Sequence, residues 1–235
     1  MNIRGTVEAE YAKQTNALSA CKQFQALETG RAESKAYDDF IANVCRTHLR
    51  SPQILAFLFS VAPPAAVEHV KHNMLEELGL DEEGIAHPNL LVQLAEGAGF
   101  VEPRRKELEL LAQDELRRLA SEPLLYGTVR ELGLSALLET VAFEWMLSRL
   151  ASTMARFLEQ YRKLPKPCLE WFTHHSELDI RHAEEGLDSI VEYARYYELD
   201  SSHFASILEL TFRENVFIKR YFGEMVSARQ AGMIR

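Results

Sequence analysis

The sequence predicts an all-α protein, a single bundle of about seven to nine helices spanning residues 1–235. Three observations predict it. Apolar residues recur at helical spacing along nearly the whole chain. β-branched runs are short, and neither Asn-Gly nor Asp-Gly offers a hairpin turn. Residues that start and stop helices fall between the periodic stretches.

In order, the pattern places helices at about 5–28, 33–49, 52–61, 65–78, 88–98, 104–121, 125–162, 166–196 and 201–228. Gly30 follows the first, and Ser34 and Ser51 stand near the starts of the next two. Pro52, Pro64 and Pro88 suit first-turn positions, where no amide hydrogen is needed. Gly79 is placed to end the 65–78 helix, and Pro165 and Pro167 part the two long C-terminal helices. No repeat of fixed period and no interdomain linker interrupts them.

Composition narrows the function. Lys and Arg number 26 against 35 Asp and Glu, a net charge of −9 without basic runs, which argues against nucleic acid as a partner. No apolar segment approaches the ~20 residues that would span a membrane. The three cysteines, Cys21, Cys45 and Cys168, are odd in number and far apart, as expected of reduced thiols in a cytoplasmic protein. No CxxC pair occurs, so thiolate zinc is not expected.

The chemistry concentrates in Trp171-Phe172-Thr173-His174-His175-Ser176-Glu177-Leu178-Asp179-Ile180-Arg181-His182. At ~100° per residue, His175, Asp179 and His182 fall at about 0°, 40° and −20° on one helical stripe. Two imidazoles and a carboxylate facing inward form a metal-ligand arrangement, because a buried Asp needs a cation. Glu144 shares its face with Leu137, Val141, Ser148, Ala151 and Ala155, an apolar stripe with no cation one turn away. Glu139 sits ~140° from it and is expected in solvent. Glu77 shares a face with Val70, Asn73 and Met74 and is expected inward, whereas Glu76 lies on a more polar side with His69 and His72. His87 precedes Pro88 at the start of the next helix.

Together Glu77, His87, Glu144, His175, Asp179 and His182 offer three carboxylates and three imidazoles, a set that two Fe(II) ions would nearly neutralise. Ligands without thiolate favour iron or manganese over structural zinc. The Glu-x-x-His motif of ferritin-like bundles is absent.

The chain resembles the haem-oxygenase-like di-iron oxidases, relatives of the thiaminase-like fold. The residues that carry the resemblance are Asn73-x2-Glu76-Glu77-x-Gly79, His87-x2-Leu90, Phe143-Glu144 and Phe172-Thr173-x-His175-x3-Asp179-x2-His182-Ala183. It implies a haem-oxygenase-like bundle with two iron ions, Fe(II)/Fe(III), on those six positions. It also implies O2 as co-substrate through a peroxo-diferric intermediate, with an external reductant where one is needed. Glu77, Glu144 and Asp179 would be the catalytic carboxylates.

The expected partner is a small-molecule substrate, chiefly an amino acid or derivative undergoing N-oxygenation, C–C cleavage or nitrile formation. Ser148, Ala151 and Ala155 are the expected substrate-binding positions, and Arg149, Arg156 and Arg181 the cations considered for a carboxylate. A homodimer is the assembly considered. Alternatives are oxidative decarboxylation of a fatty acid on the same site, a metal-free thiaminase-like hydrolase using Glu144, and a non-catalytic helical interaction protein. The chain departs from an aminobenzoate-forming member of the family, which consumes its own Tyr and Lys. Phe24 and Met154 stand at those places, so an external substrate is expected. The first helix lacks a histidine for haem, and no Cys lies on the helix of Glu139 and Thr140, where the thiaminase-like branch has its nucleophile.

Overall fold

In the computed structural model, residues 2–82, 84–121 and 127–223 are described, the side chains of 118–121 excepted. Within them the helices are α1 (Ile3–Ala20), α2 (Lys22–Glu28), α3 (Ser34–His48), α4 (Ser51–Val61), α5 (Val67–Glu77), α6 (His87–Gly97), α7 (Glu102–Ser121), α8 (Val129–Phe157), α9 (Glu170–Tyr196), α10 (Ser201–Thr211) and α11 (Val216–Phe222). The only extended pairing among the described residues is a bridge between Leu78 and Ala86. No described helix is long and apolar enough to cross a membrane.

Two expected helices prove to be pairs. Cys21 turns extended at φ −69°, ψ 149°, and its sulfur accepts from the Phe24 amide, so the first helix restarts as α2. Asn215 caps α11 by accepting the Ile218 amide at 2.8 Å, which separates α11 from α10. The expected residues 125–126 and 224–228 of two helices lie outside the described residues.

The antiparallel neighbours α8 and α9 form the centre. A capping box at Thr128 and Glu131 starts α8, whose Leu134, Leu138, Met146, Ala151 and Met154 are wholly buried. The two helices pack closely at Gly186, where a Cβ would come within 2.5 Å of a Val141 methyl. That approach lies one turn from His182 and one turn from Glu144, so it sets the two polar stripes against each other. α1 crosses α8, with the Tyr11 hydroxyl donating to the Leu138 carbonyl at 2.7 Å.

The α5–α6 corner delivers the remaining polar groups. Gly79 adopts φ +65°, and the Leu80 amide returns to the Leu75 carbonyl at 2.8 Å, closing α5 with a left-handed cap. A Cβ on Gly79 would lie 2.5 Å from the Ala86 nitrogen, so only glycine lets the chain double back there. Glu77, the last residue of α5, is thereby set beside His87, the first of α6.

Candidate metal centre

All six residues expected to bind metal are buried, none more than 9% exposed. They arrive from four helices: Glu77 from α5, His87 from α6, Glu144 from α8, and His175, Asp179 and His182 from α9. They fall into two groups.

In the first group one donor atom each of Glu77, His87 and His175 lies within 4.8 Å of the others. Glu77 Oε1 is 3.0 Å from His87 Nδ1 and 3.6 Å from His175 Nε2. His175 Nδ1 donates to the Trp171 carbonyl at 2.7 Å, which leaves the Nε2 lone pair facing Glu77. His174 backs His87, with their Nε2 atoms 3.0 Å apart. The Ser51 hydroxyl donates to the second oxygen of Glu77.

In the second group His182 is held between two carboxylates. Its Nδ1 is 3.4 Å from Asp179 Oδ1, and its Nε2 is 2.5 Å from Glu76 Oε2. Glu76 also accepts from the Arg181 guanidinium. Glu144 accepts from the Asn73 amide at 2.5 Å. Asp179 Oδ2 is buried and has no hydrogen-bond partner among the described residues.

The electrostatics follow from this crowding. Burial pushes the Glu144 carboxyl up to about 7, an effect that Asp179 and Glu77 reinforce and that His182 and Asn73 oppose. Burial works against ionised Glu76 too, yet His182 and Arg181 bring it down to about 2. Glu77 is likewise held well below the usual carboxylate range by His175 and His87 despite burial. Burial would lower His182, but hydrogen bonds to Asp179 and Glu76 carry it up to about 10. His175 is raised against burial by Asp179 and Glu77.

The donor set fits a metal. Several buried carboxylates beside imidazoles, one of them with an orphaned oxygen, match the demand of hard or borderline cations. A bound cation would reverse the upward shifts, since it favours ionised carboxylate and neutral imidazole.

A cavity of about 90 Å³ opens over this floor. Glu77, Glu144, His175 and Asp179 form one side, while His48, Arg50, Thr140, Phe143, Leu147 and Arg220 contribute to the rest. Ser148, Ala151 and Ala155, the expected substrate-binding residues, do not line it. Side chains lean toward a helix's N-terminus, so the Glu144 carboxyl reaches back over Thr140, and the space lies on that side. Ala151 and Ala155 are packed in the core, and the Ser148 hydroxyl donates to the Trp145 carbonyl at 2.8 Å.

Three more placements differ from the sequence reading. Glu139 is on the cavity wall, where its Oε1 accepts from Arg220 at 2.8 Å, instead of in solvent. Glu76 is as buried as Glu77, because α5 packs on α4, α6 and α9 and has little free side. None of the arginines considered for a carboxylate lines the cavity. Arg149 lies 3.5 Å over the Trp145 ring, Arg156 pairs with Glu28 at 3.4 Å, and Arg181 holds Glu76.

Sequence reasoning also missed His48 and Arg50, from the α3–α4 corner. His48 Nε2 is 2.8 Å from the Tyr221 hydroxyl, and burial beside His175 lowers the imidazole to about 3, so it stays neutral. A histidine and an arginine just before a Ser-Pro helix start were the available signal. Phe24 packs edge-on against Phe157 with centroids 5.8 Å apart, Met154 is buried, and neither lines the cavity.

Residues 38–207 match the family model described as iron-containing redox enzyme, within the haem-oxygenase-like group. Among solved structures, the chain is similar to a CADD-like protein of unknown function from Nostoc punctiforme, at 20% identity and a TM-score of 0.56. That match covers 94% of this chain and 96% of the other, and it shows the fold. No curated protein matches. With an all-helical haem-oxygenase-like bundle, a buried Glu/His/His cluster suited to iron, and a family match over most of its length, this chain belongs to the iron-containing redox enzymes.

Proposed function

We propose that the protein is a non-haem di-iron oxygenase or oxidase that uses O2 to oxidise a small external metabolite of the amino-acid type. The observation that carries this reading is the buried Glu77–His87–His175 cluster, with Glu144 and Asp179 on the wall of the same cavity as Glu77 and His175 and with His182 beside Asp179. Glu77, His87 and His175 would hold one iron, and Glu144, Asp179 and His182 the other. Iron bound there would supply the O2 chemistry that side chains cannot perform.

The chain supplies position and charge. The Trp171 carbonyl fixes the His175 ring, Glu76 and Arg181 fix His182, and Asn73 orients Glu144. Phe143, Leu147, Leu55 and Ile54 keep the cavity apolar on the flank of the floor and limit water. The room favours a small guest. At about 90 Å³, against the ~150 Å³ of an apolar cavity that admits benzene, the space suits a short substrate better than an extended acyl chain. The thiaminase-like alternative lacks a nucleophile here, because no cysteine lines the cavity and burial pushes the Cys45 thiol up to about 12.

The test is O2 uptake by protein loaded anaerobically with Fe(II), given a reductant, and screened with amino acids. Uptake should rise with a matching amino acid, while the mass of the chain stays unchanged. Uptake no greater than that of free Fe(II) would overturn the oxidase reading. Stoichiometric loss of a Tyr side chain, with release of aminobenzoate, would overturn the external substrate.

A further inference from the structure

The cavity over the metal-binding floor has one cation that nothing on the described residues neutralises. Arg50 lies on its wall, and its Nε is buried without a hydrogen-bond partner. The other arginines nearby are engaged. Arg220 donates to Glu139 at 2.8 and 3.0 Å and also holds Glu115. Arg46 lies 3.7 Å from Glu115 and donates to the Arg220 carbonyl at 3.1 Å. Arg181 holds Glu76. A guanidinium N–H taken from water without an acceptor is unfavourable, and a carboxylate is the acceptor its planar fork fits best.

Charge counting points the same way. Arg46 and Arg220 match Glu115 and Glu139, and Arg181 matches Glu76. Glu77, Glu144 and Asp179 remain, and two Fe(II) ions would exceed their charge by one. Arg50 adds a second uncompensated positive charge within the same small volume. A guest that enters this space is favoured if it is an anion.

We propose that Arg50 is the substrate's carboxylate anchor, holding a small carboxylate between its guanidinium and the metal-binding floor. This rests on the di-iron reading and deepens it: the residue that selects the substrate comes from the α3–α4 corner, not from α8 or α9. Orientation follows, because the carboxylate end is fixed at Arg50 and the rest of the molecule is turned toward Glu77, Glu144 and Asp179.

The test uses protein loaded anaerobically with Fe(II), without O2, and two probes of nearly equal shape, propionate and propionamide. Calorimetry should show propionate bound at least tenfold more tightly than propionamide. Arg50→Met should remove that preference, Arg50→Lys should restore part of it, and Arg149→Gln should leave it unchanged. Iron content is measured in every variant, so that loss of fold is separated from loss of the anchor, with Arg50→Lys as the gentler substitution. Equal propionate binding by wild type and Arg50→Met would overturn the anchor, since iron alone would then hold the carboxylate. Failure of the wild type to take up iron would instead overturn the di-iron reading.

Discussion

The group formed by Glu77, His87 and His175 differs from the group formed by Glu144, Asp179 and His182 in how far its donor atoms already converge. In the first, three donor atoms converge within 4.8 Å, and the carbonyl of Trp171 presents the lone pair of His175 to the centre. In the second, His182 gives its Nε2 to Glu76, Glu144 is taken by Asn73, and one oxygen of Asp179 has no partner. The difference comes from the chain's route. Glu77 and His87 are joined by one tight corner at Gly79, whereas Glu144 and the α9 residues meet only through packing of two long helices. A group whose donor atoms already converge binds a metal with less rearrangement, so the first iron should bind more tightly than the second.

The largest effect should come from Glu77→Ala. It removes the oxygen that touches both His87 and His175, so bound iron should fall to background, at least about 100-fold weaker in the first step. Measuring metal content after desalting checks this, and an emptied site in Glu76→Ala but not in Glu77→Ala would exchange the roles of the two carboxylates.

Glu76→Gln should act on one side only. It weakens the hydrogen bonds that orient His182 while sparing the corner at Gly79, so the second iron should bind about 10- to 100-fold more weakly. The first constant should stay within about threefold. Equal loss in both steps would mean that the two groups are not separate.

The smallest effect is a pH slope. Metal replaces protons, so affinity falls as pH drops through the pKa of each ligand. Glu77 lies well below the usual range and contributes no proton near neutrality. His182, raised to about 10, is protonated throughout, and Glu144 gains a proton as pH falls through about 7. His175 is raised as well and gives the first step a proton to release, so both constants should fall between pH 8 and 6. The second should fall more steeply, because it displaces protons from His182 and Glu144 together, and the ratio of first to second should widen. Anaerobic Fe(II) titrations at three pH values read it directly.

The fold was legible because helical periodicity and its punctuation are local, and the His175–Asp179–His182 stripe was legible for the same reason. What could not be read required knowing which surfaces meet. Glu76 shares its helix's polar side with His72, and only the packing of α5 on α4, α6 and α9 turns that side inward. Ser148, Ala151 and Ala155 share the angle of Glu144, but periodicity does not say toward which end of a helix a cavity opens. Arg50 and His48 belong to a corner between helices, where no period marks a face. The breaks at Cys21 and before Asn215 were written in single capping residues that a strong apolar pattern overrode.

The most direct measurement is an anaerobic Fe(II) titration followed by Mössbauer spectroscopy of wild type and His175→Ala. Two irons per chain should bind in distinguishable steps, with two non-identical high-spin sites in the wild type and the tighter step lost in the variant. Uptake of only stray iron, with His175→Ala indistinguishable from wild type, would contradict the account.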